Sequence, residues 1–109
     1  ASVVAKVIAP ASKSYSADYE KRAKLIVNQG VQYAQMAQQD TEPVFAMHHS
    51  TMALAYLQAA YHLADDKALM RVSNVDVHAL SEKLRKRLAS LMETMNTSSA
   101  KKTRTSAPA

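Results

Sequence analysis

A single glycine, Gly30, occurs in this chain of 109 residues, alongside three prolines, Pro10, Pro43 and Pro108. Antiparallel sheets need residues that accept positive φ at their tight turns, and glycine supplies most of them. A chain with one glycine has little material for such turns. The rest of the composition points the same way, because Ala, Leu, Met, Gln and Lys recur throughout and lose the least side-chain entropy in a helix. The expected fold class is therefore all-α, a three-helix bundle with an extended N-terminal arm and a basic C-terminal tail.

A chain of this size makes one small domain that buries about two-thirds of its unfolded surface, so its stability is marginal unless partners contribute. It has no cysteine, which removes disulfides, thiolate metal sites and cysteine nucleophiles together and fits a reducing compartment. The opening ASVVAKVIAPAS is too short for a signal sequence and far below the ~20 apolar residues of a membrane span. We expect a soluble intracellular chain with no membrane span. Ala1-Ser2 in place of Met is the pattern that initiator removal leaves, and it leads us to expect a complete N-terminus.

Residues 1–15 lack a sustained period and read as an extended arm with a strand-like VVAKVIA segment. A three-helix domain is expected over residues 16–96, with helices at about 17–39, 42–65 and 74–96. Ser16 is the expected N-cap of the first, with Asp18 in the first turn. Its core face is Tyr19, Ala23, Ile26, Gly30, Tyr33, Ala34 and Ala37. Gly30 costs about 1 kcal/mol of helix propensity relative to alanine, and at the centre of that face its use is to let another helix approach closely. Thr41 is the expected cap of the second helix, with Pro43 in its first turn. Residues 65–71 either prolong that helix or form a short separate turn. Ser73-Asn74-Val75-Asp76 signals a third start, after which Val77, Leu80, Leu84, Leu88, Leu91 and Met95 follow the 3-4 spacing of helix-on-helix packing. Residues 97–109, polar and aperiodic, are the basic tail.

On a helical wheel the second helix carries a bulky stripe of Phe45, Met52, Tyr56 and Leu63, flanked by alanines that suit a middle helix packed on both sides. Met47, Leu54 and Tyr61, spaced by seven, fall on the far side beside Leu57. An aligned apolar row rimmed by polar residues usually meets a partner, so Met47, Leu54, Leu57 and Tyr61 are the expected partner contact. Isolated exposed apolar groups are the blander reading.

The pair His48-His49 sits in the same helix, but neighbours on a helix diverge by about 100° and cannot share an ion. His48 with Met52, His62 with Asp66 and His78 with Glu82 have one-turn spacing, yet each is only a pair, and zinc needs three or four protein ligands. We expect His48 and His49 to border the core with one ring nitrogen hydrogen-bonded. No metal, no cofactor and no catalytic residues are expected, since no nucleophile with a base, no phosphate loop and no inward carboxylate pair can be assembled.

Charge is local. From Val77 onward seven basic residues, Lys83, Arg85, Lys86, Arg87, Lys101, Lys102 and Arg104, stand against Glu82 and Glu93, a net +5 that accounts for the whole chain's +5. Lys83, Lys86, Arg87, Lys101, Lys102 and Arg104 are the candidate polyanion contacts, for a non-specific, salt-dependent encounter with nucleic acid or an acidic protein face. A solvated helix face with a solubilising tail explains the same charges.

The segment MALAYLQAAYHLADDKALMRVSNVDVHAL with the leucine repeat that follows resembles the helical core of small virion proteins of large nucleocytoplasmic DNA viruses. The pattern spans roughly residues 43–95: an alanine-rich helix with aromatics, an acidic turn, then Asn-Val-Asp-Val opening a leucine helix. The resemblance implies a minor capsid or internal virion protein that bridges neighbouring subunits, possible partners being capsid proteins, and it carries over no site. The expected function is a non-enzymatic assembly protein, with a basic-tailed nucleic-acid-associated protein as the alternative.

Overall fold

The structure is a computed structural model that describes residues 16–106, with side chains described for residues 16–97. The 1–15 arm lies outside the described residues, as do residues 107–109. Among the described residues there are four helices and no strand. Helix α1 covers Ala17–Gln39, α2 Pro43–Ala60, α3 Asp66–Ser73 and α4 Val77–Ser106.

Helix α1 begins where expected. The Ser16 hydroxyl accepts the Tyr19 amide at 3.2 Å, and Asp18 and Glu20 place negative charge in the first turn. Its buried residues are Ala23, Val27, Gly30 and Ala37, whereas Tyr19, expected on the core face, is 50% exposed. Pro43 is the first residue of α2, and the flanking cap is Glu42 rather than Thr41. The proline explains the shift, because the residue before a proline is driven out of helical φ/ψ, and Glu42 is accordingly extended at φ −87°, ψ 123°.

The second helix stops at Ala60, five residues before the expected end. There its hydrogen bonds tighten from four-residue to three-residue spacing: Tyr61 N–H donates to Gln58, His62 to Ala59 and Leu63 to Ala60. Asp65 then opens α3 by accepting the Ala68 amide at 3.0 Å, which competes with continuing the preceding helix. Asn74 closes α3 in the left-handed conformation at φ 57°. Asp76 opens α4 by accepting the Ala79 amide at 3.0 Å. Helix α4 does not end near residue 96 but runs to Ser106, about 45 Å in all. Neither glycine nor proline interrupts it before Pro108.

Helices α1 and α2 form an antiparallel hairpin, as Gly30 meets Leu57 and Ala53 while Asp40 meets His49. Helix α2 is the middle helix, packed on α1 and on α4, and α3 bridges one end by packing mainly on α1. Contact between α1 and α4 is sparse. The described residues thus form an all-helical fold of four helices, in which α1 and α4 touch only sparsely.

The core is built from small residues: Ala23, Val27, Ala53, Leu57, Ala60, Ala64, Ala68, Leu69, Val77 and Leu84. The inner stripe of α2 is Ala46, Ser50, Ala53, Leu57 and Ala60, not the bulky set Phe45, Met52, Tyr56 and Leu63. Phe45 is 57% exposed. The reason lies at Gly30, where an added Cβ would stand 2.8 Å from Leu57 Cδ2, 3.1 Å from Leu57 Cγ and 3.3 Å from the Ala53 carbonyl oxygen. The helices approach so closely there that only small side chains fit the seam around Leu57, and the larger ones move to the flanks. Ser50, fully buried in that stripe, has a hydroxyl without a hydrogen-bond partner.

Gly30→Ala sets about 1 kcal/mol of helix propensity against an overpacking cost of about 1–3 kcal/mol. Leu57 is completely buried and the Ala53 carbonyl is backbone, so neither can yield cheaply, and the variant should unfold at a lower denaturant midpoint. Leu57→Ala alone should cost about 2–5 kcal/mol. The double variant should be more stable than the sum of the two predicts by about 1 kcal/mol, and additive values in the denaturation cycle would show that the two positions do not share this contact.

Candidate functional site

The expected contact row does not form one outer surface. Leu57 is completely buried at the centre of the core, Leu54 is half-buried and packed against it, and Met47 is half-buried. Leu57 therefore cannot be a partner contact. Tyr61 alone of the four is exposed, at 36%, and its hydroxyl donates to the Asp66 carboxylate. The wheel assigned the interior of α2 by side-chain size, whereas the close approach at Gly30 assigned it to the small stripe and rotated the row towards the protein.

That Tyr61 contact perturbs the phenol. Although about a third of the residue is exposed, desolvation raises its pKa first, followed by the hydrogen bond to Asp66 and the charges of Asp66 and Asp76, with Arg85 opposing. The result is a rise from 10.0 to about 12. A raised folded-state value means that the neutral phenol stabilises the fold below pH 10 and that this contribution is lost as the pH climbs through about 12. The difference in phenolate absorbance between the native protein and Tyr61→Phe should titrate with a midpoint of about 12. A midpoint at the ordinary tyrosine value would show that the Asp66 contact does not form.

The histidines separate as their spacing requires. His49 lies half-buried with Nδ1 2.6 Å from Asp40 Oδ2, while His48 is exposed. Tyr33 stacks on Tyr56 at 5.5 Å and 13° and tilts over His49 at 5.9 Å, so the dyad is held against an aromatic pair across the hairpin. This arrangement orients one imidazole and fastens the start of α2 to the end of α1. The Asp40–His49 pair escaped the sequence reading because nine residues separate its members and only the antiparallel return of α2 brings them together. His62 and His78 are exposed, and among the described residues no three metal-binding side chains converge.

Of the candidate polyanion contacts, Lys83, Lys86 and Arg87 are exposed on α4. Arg87 also donates through one guanidinium nitrogen to the Ala37 carbonyl at 3.2 Å. Helix α1 has no basic residue in its last turn, so this guanidinium supplies from outside both a partner for an end carbonyl and a positive charge at the negative end of the dipole. Arg85 pairs with Glu82 at 2.6 Å. Lys101, Lys102 and Arg104 lie in the last turns of α4 rather than in a tail, and their side chains are outside those described.

Where α1 and α4 stand apart, a groove of about 230 Å³ opens between them. Val31 and Ala34 of α1 and Leu80 and Leu84 of α4 make it mainly apolar, and Gln35, Gln38, Lys83 and Arg87 complete its lining. Arg87, through Ala37, ties the two walls near one end. Sequence reasoning missed this groove. Its apolar residues have the helical spacing of ordinary core positions, and nothing in that spacing says which pair of helices fails to close.

No family model, curated protein or solved structure matches the chain. The resemblance to virion proteins therefore rests on the sequence pattern alone. Among the described residues no helix is long and apolar enough to cross a membrane.

Proposed function

We propose that this chain is a non-enzymatic assembly protein whose α1/α4 groove receives a helix of another protein. One observation carries the reading: an apolar groove with a polar rim lies between two helices that are otherwise in sparse contact. A helix laid between them completes the three-sided packing that α1, α2 and α4 leave open, and helix-in-groove docking is a common use of such a surface. At about 230 Å³ the groove falls below the range of about 300–1,000 Å³ typical of small-ligand pockets, which favours inserted side chains over a free metabolite. A minor capsid or internal virion protein is the form of this role that the sequence resemblance implies.

Amphipathic helical peptides added to the isotopically labelled protein should shift the amides of Val31, Ala34, Leu80 and Leu84. Val31→Glu, at a half-buried groove position, should weaken the interaction about tenfold or more while leaving the circular dichroism helical. Shifts confined to other surfaces would overturn the reading.

A second reading, non-specific contact with nucleic acid, draws support from the length of α4. Lys83, Lys86, Arg87, Lys101, Lys102 and Arg104 all belong to one continuous helix, which can lie along a phosphate backbone. Deleting residues 97–109 should flatten the salt dependence of binding to duplex DNA or RNA, and absence of binding at low salt would remove this reading.

A further inference from the structure

The two rims of the groove differ in charge, and that difference specifies a partner, given the helix-docking reading above. The α1 rim is neutral, with Gln35 and Gln38, whereas the α4 rim carries Lys83 and Arg87, one turn and about 6 Å apart along the axis. Among the described residues neither cation has a carboxylate within ion-pair distance. Arg87 commits one nitrogen to Ala37, and a guanidinium has further N–H groups to offer. Each wall covers eight residues, Val31 to Gln38 and Leu80 to Arg87, so the groove is about 10 Å long. That is two turns of a docked helix, enough for two apolar side chains spaced by three or four residues.

The chain's own segments do not match this rim. Residues 1–15 and 98–109 contain Lys6, Lys13, Lys101, Lys102 and Arg104 and no Asp or Glu. Either would bring like charge to Lys83 and Arg87. A second copy is equally unsuited, because nowhere in the sequence do two acidic residues stand three or four positions apart, the spacing that the rim cations require of a helix. Charge complementarity therefore selects a different protein. We infer that the groove takes an acidic amphipathic helix: two apolar side chains one turn apart seat against Val31, Ala34, Leu80 and Leu84, and two carboxylates one turn apart meet Lys83 and Arg87. The opposite flank of that helix is uncharged and faces the glutamines. The footprint is small, so the complex forms and dissociates readily and reaches stability only as one contact among several in an assembly.

The test uses two fluorescent helical peptides with the same pair of leucine anchors, one bearing glutamates at the flank positions and the other lysines, titrated with the full chain. The glutamate peptide should bind about tenfold more tightly at low salt, and the advantage should shrink in about 0.5 M salt. Lys83→Glu should remove that preference, while Lys67→Glu, the same charge change on α3 away from the groove, should preserve it. Arg87 is left in place because its bond to Ala37 holds the walls. Equal binding of the two peptides, with amide shifts still in the groove, would overturn the acidic partner and leave the groove as a helix site. Binding of neither peptide in the groove would overturn both. Tighter binding by a peptide of residues 1–15 than by the glutamate peptide would overturn the inference in favour of the chain's own arm.

Discussion

The fold turns on the contact between Gly30 and Leu57. Without a Cβ at Gly30, the Leu57 side chain and the Ala53 carbonyl come within a distance that any other residue would obstruct. That approach fixes how α1 and α2 face each other. It places Ala46, Ser50, Ala53, Leu57 and Ala60 inside and sends Phe45, Met52, Tyr56 and Leu63 to the flanks. The antiparallel return also sets Tyr33 against Tyr56 and brings Asp40 to His49, so the pairs along the hairpin follow from one close seam.

A close seam has a cost in core volume. The buried set is dominated by alanines, and its largest fully buried side chains are Leu57, Leu69 and Val27. Small residues draw α2 tightly against its neighbours but offer little bulk to fill the space between α1 and α4. Those two helices are joined instead by local ties, the Arg87 bond to Ala37 and the bridging α3, whose Arg71 pairs with Glu20. What remains between them is apolar and edged with positive charge that has no carboxylate partner among the described residues. The same economy that gives the hairpin its precision thus leaves the surface on which the proposed function depends.

Much of the architecture was legible in one dimension because it is encoded locally. Ser16 caps α1 through an amide three residues away, a contact that follows from the chain's own geometry within a turn. The helix expected from about residue 74 instead opens three residues later, at Val77 with Asp76 as its cap, because Ser73 and Asn74 close α3. Gly30 was legible as a point of close approach because nothing else explains a glycine mid-helix. The errors arose where competing local signals or distant contacts decide. Pro43 moved the cap from Thr41 to Glu42, Asp65 ended the second helix early, and a glycine-free, proline-free stretch let α4 continue where composition read as tail. Leu57 was misplaced because a wheel ranks faces by bulk and cannot know that the partner helix presents a glycine.

By itself the sequence determined that the chain is helical, where α1 begins, and that its charge gathers near its end. These are properties of short windows, governed by propensity, capping and composition. Only the tertiary structure decided which face of α2 is inside, which distant residues pair, and which two helices stay apart. Those outcomes depend on the distance between helix axes, which is set jointly by side chains from separate elements and appears in no single window.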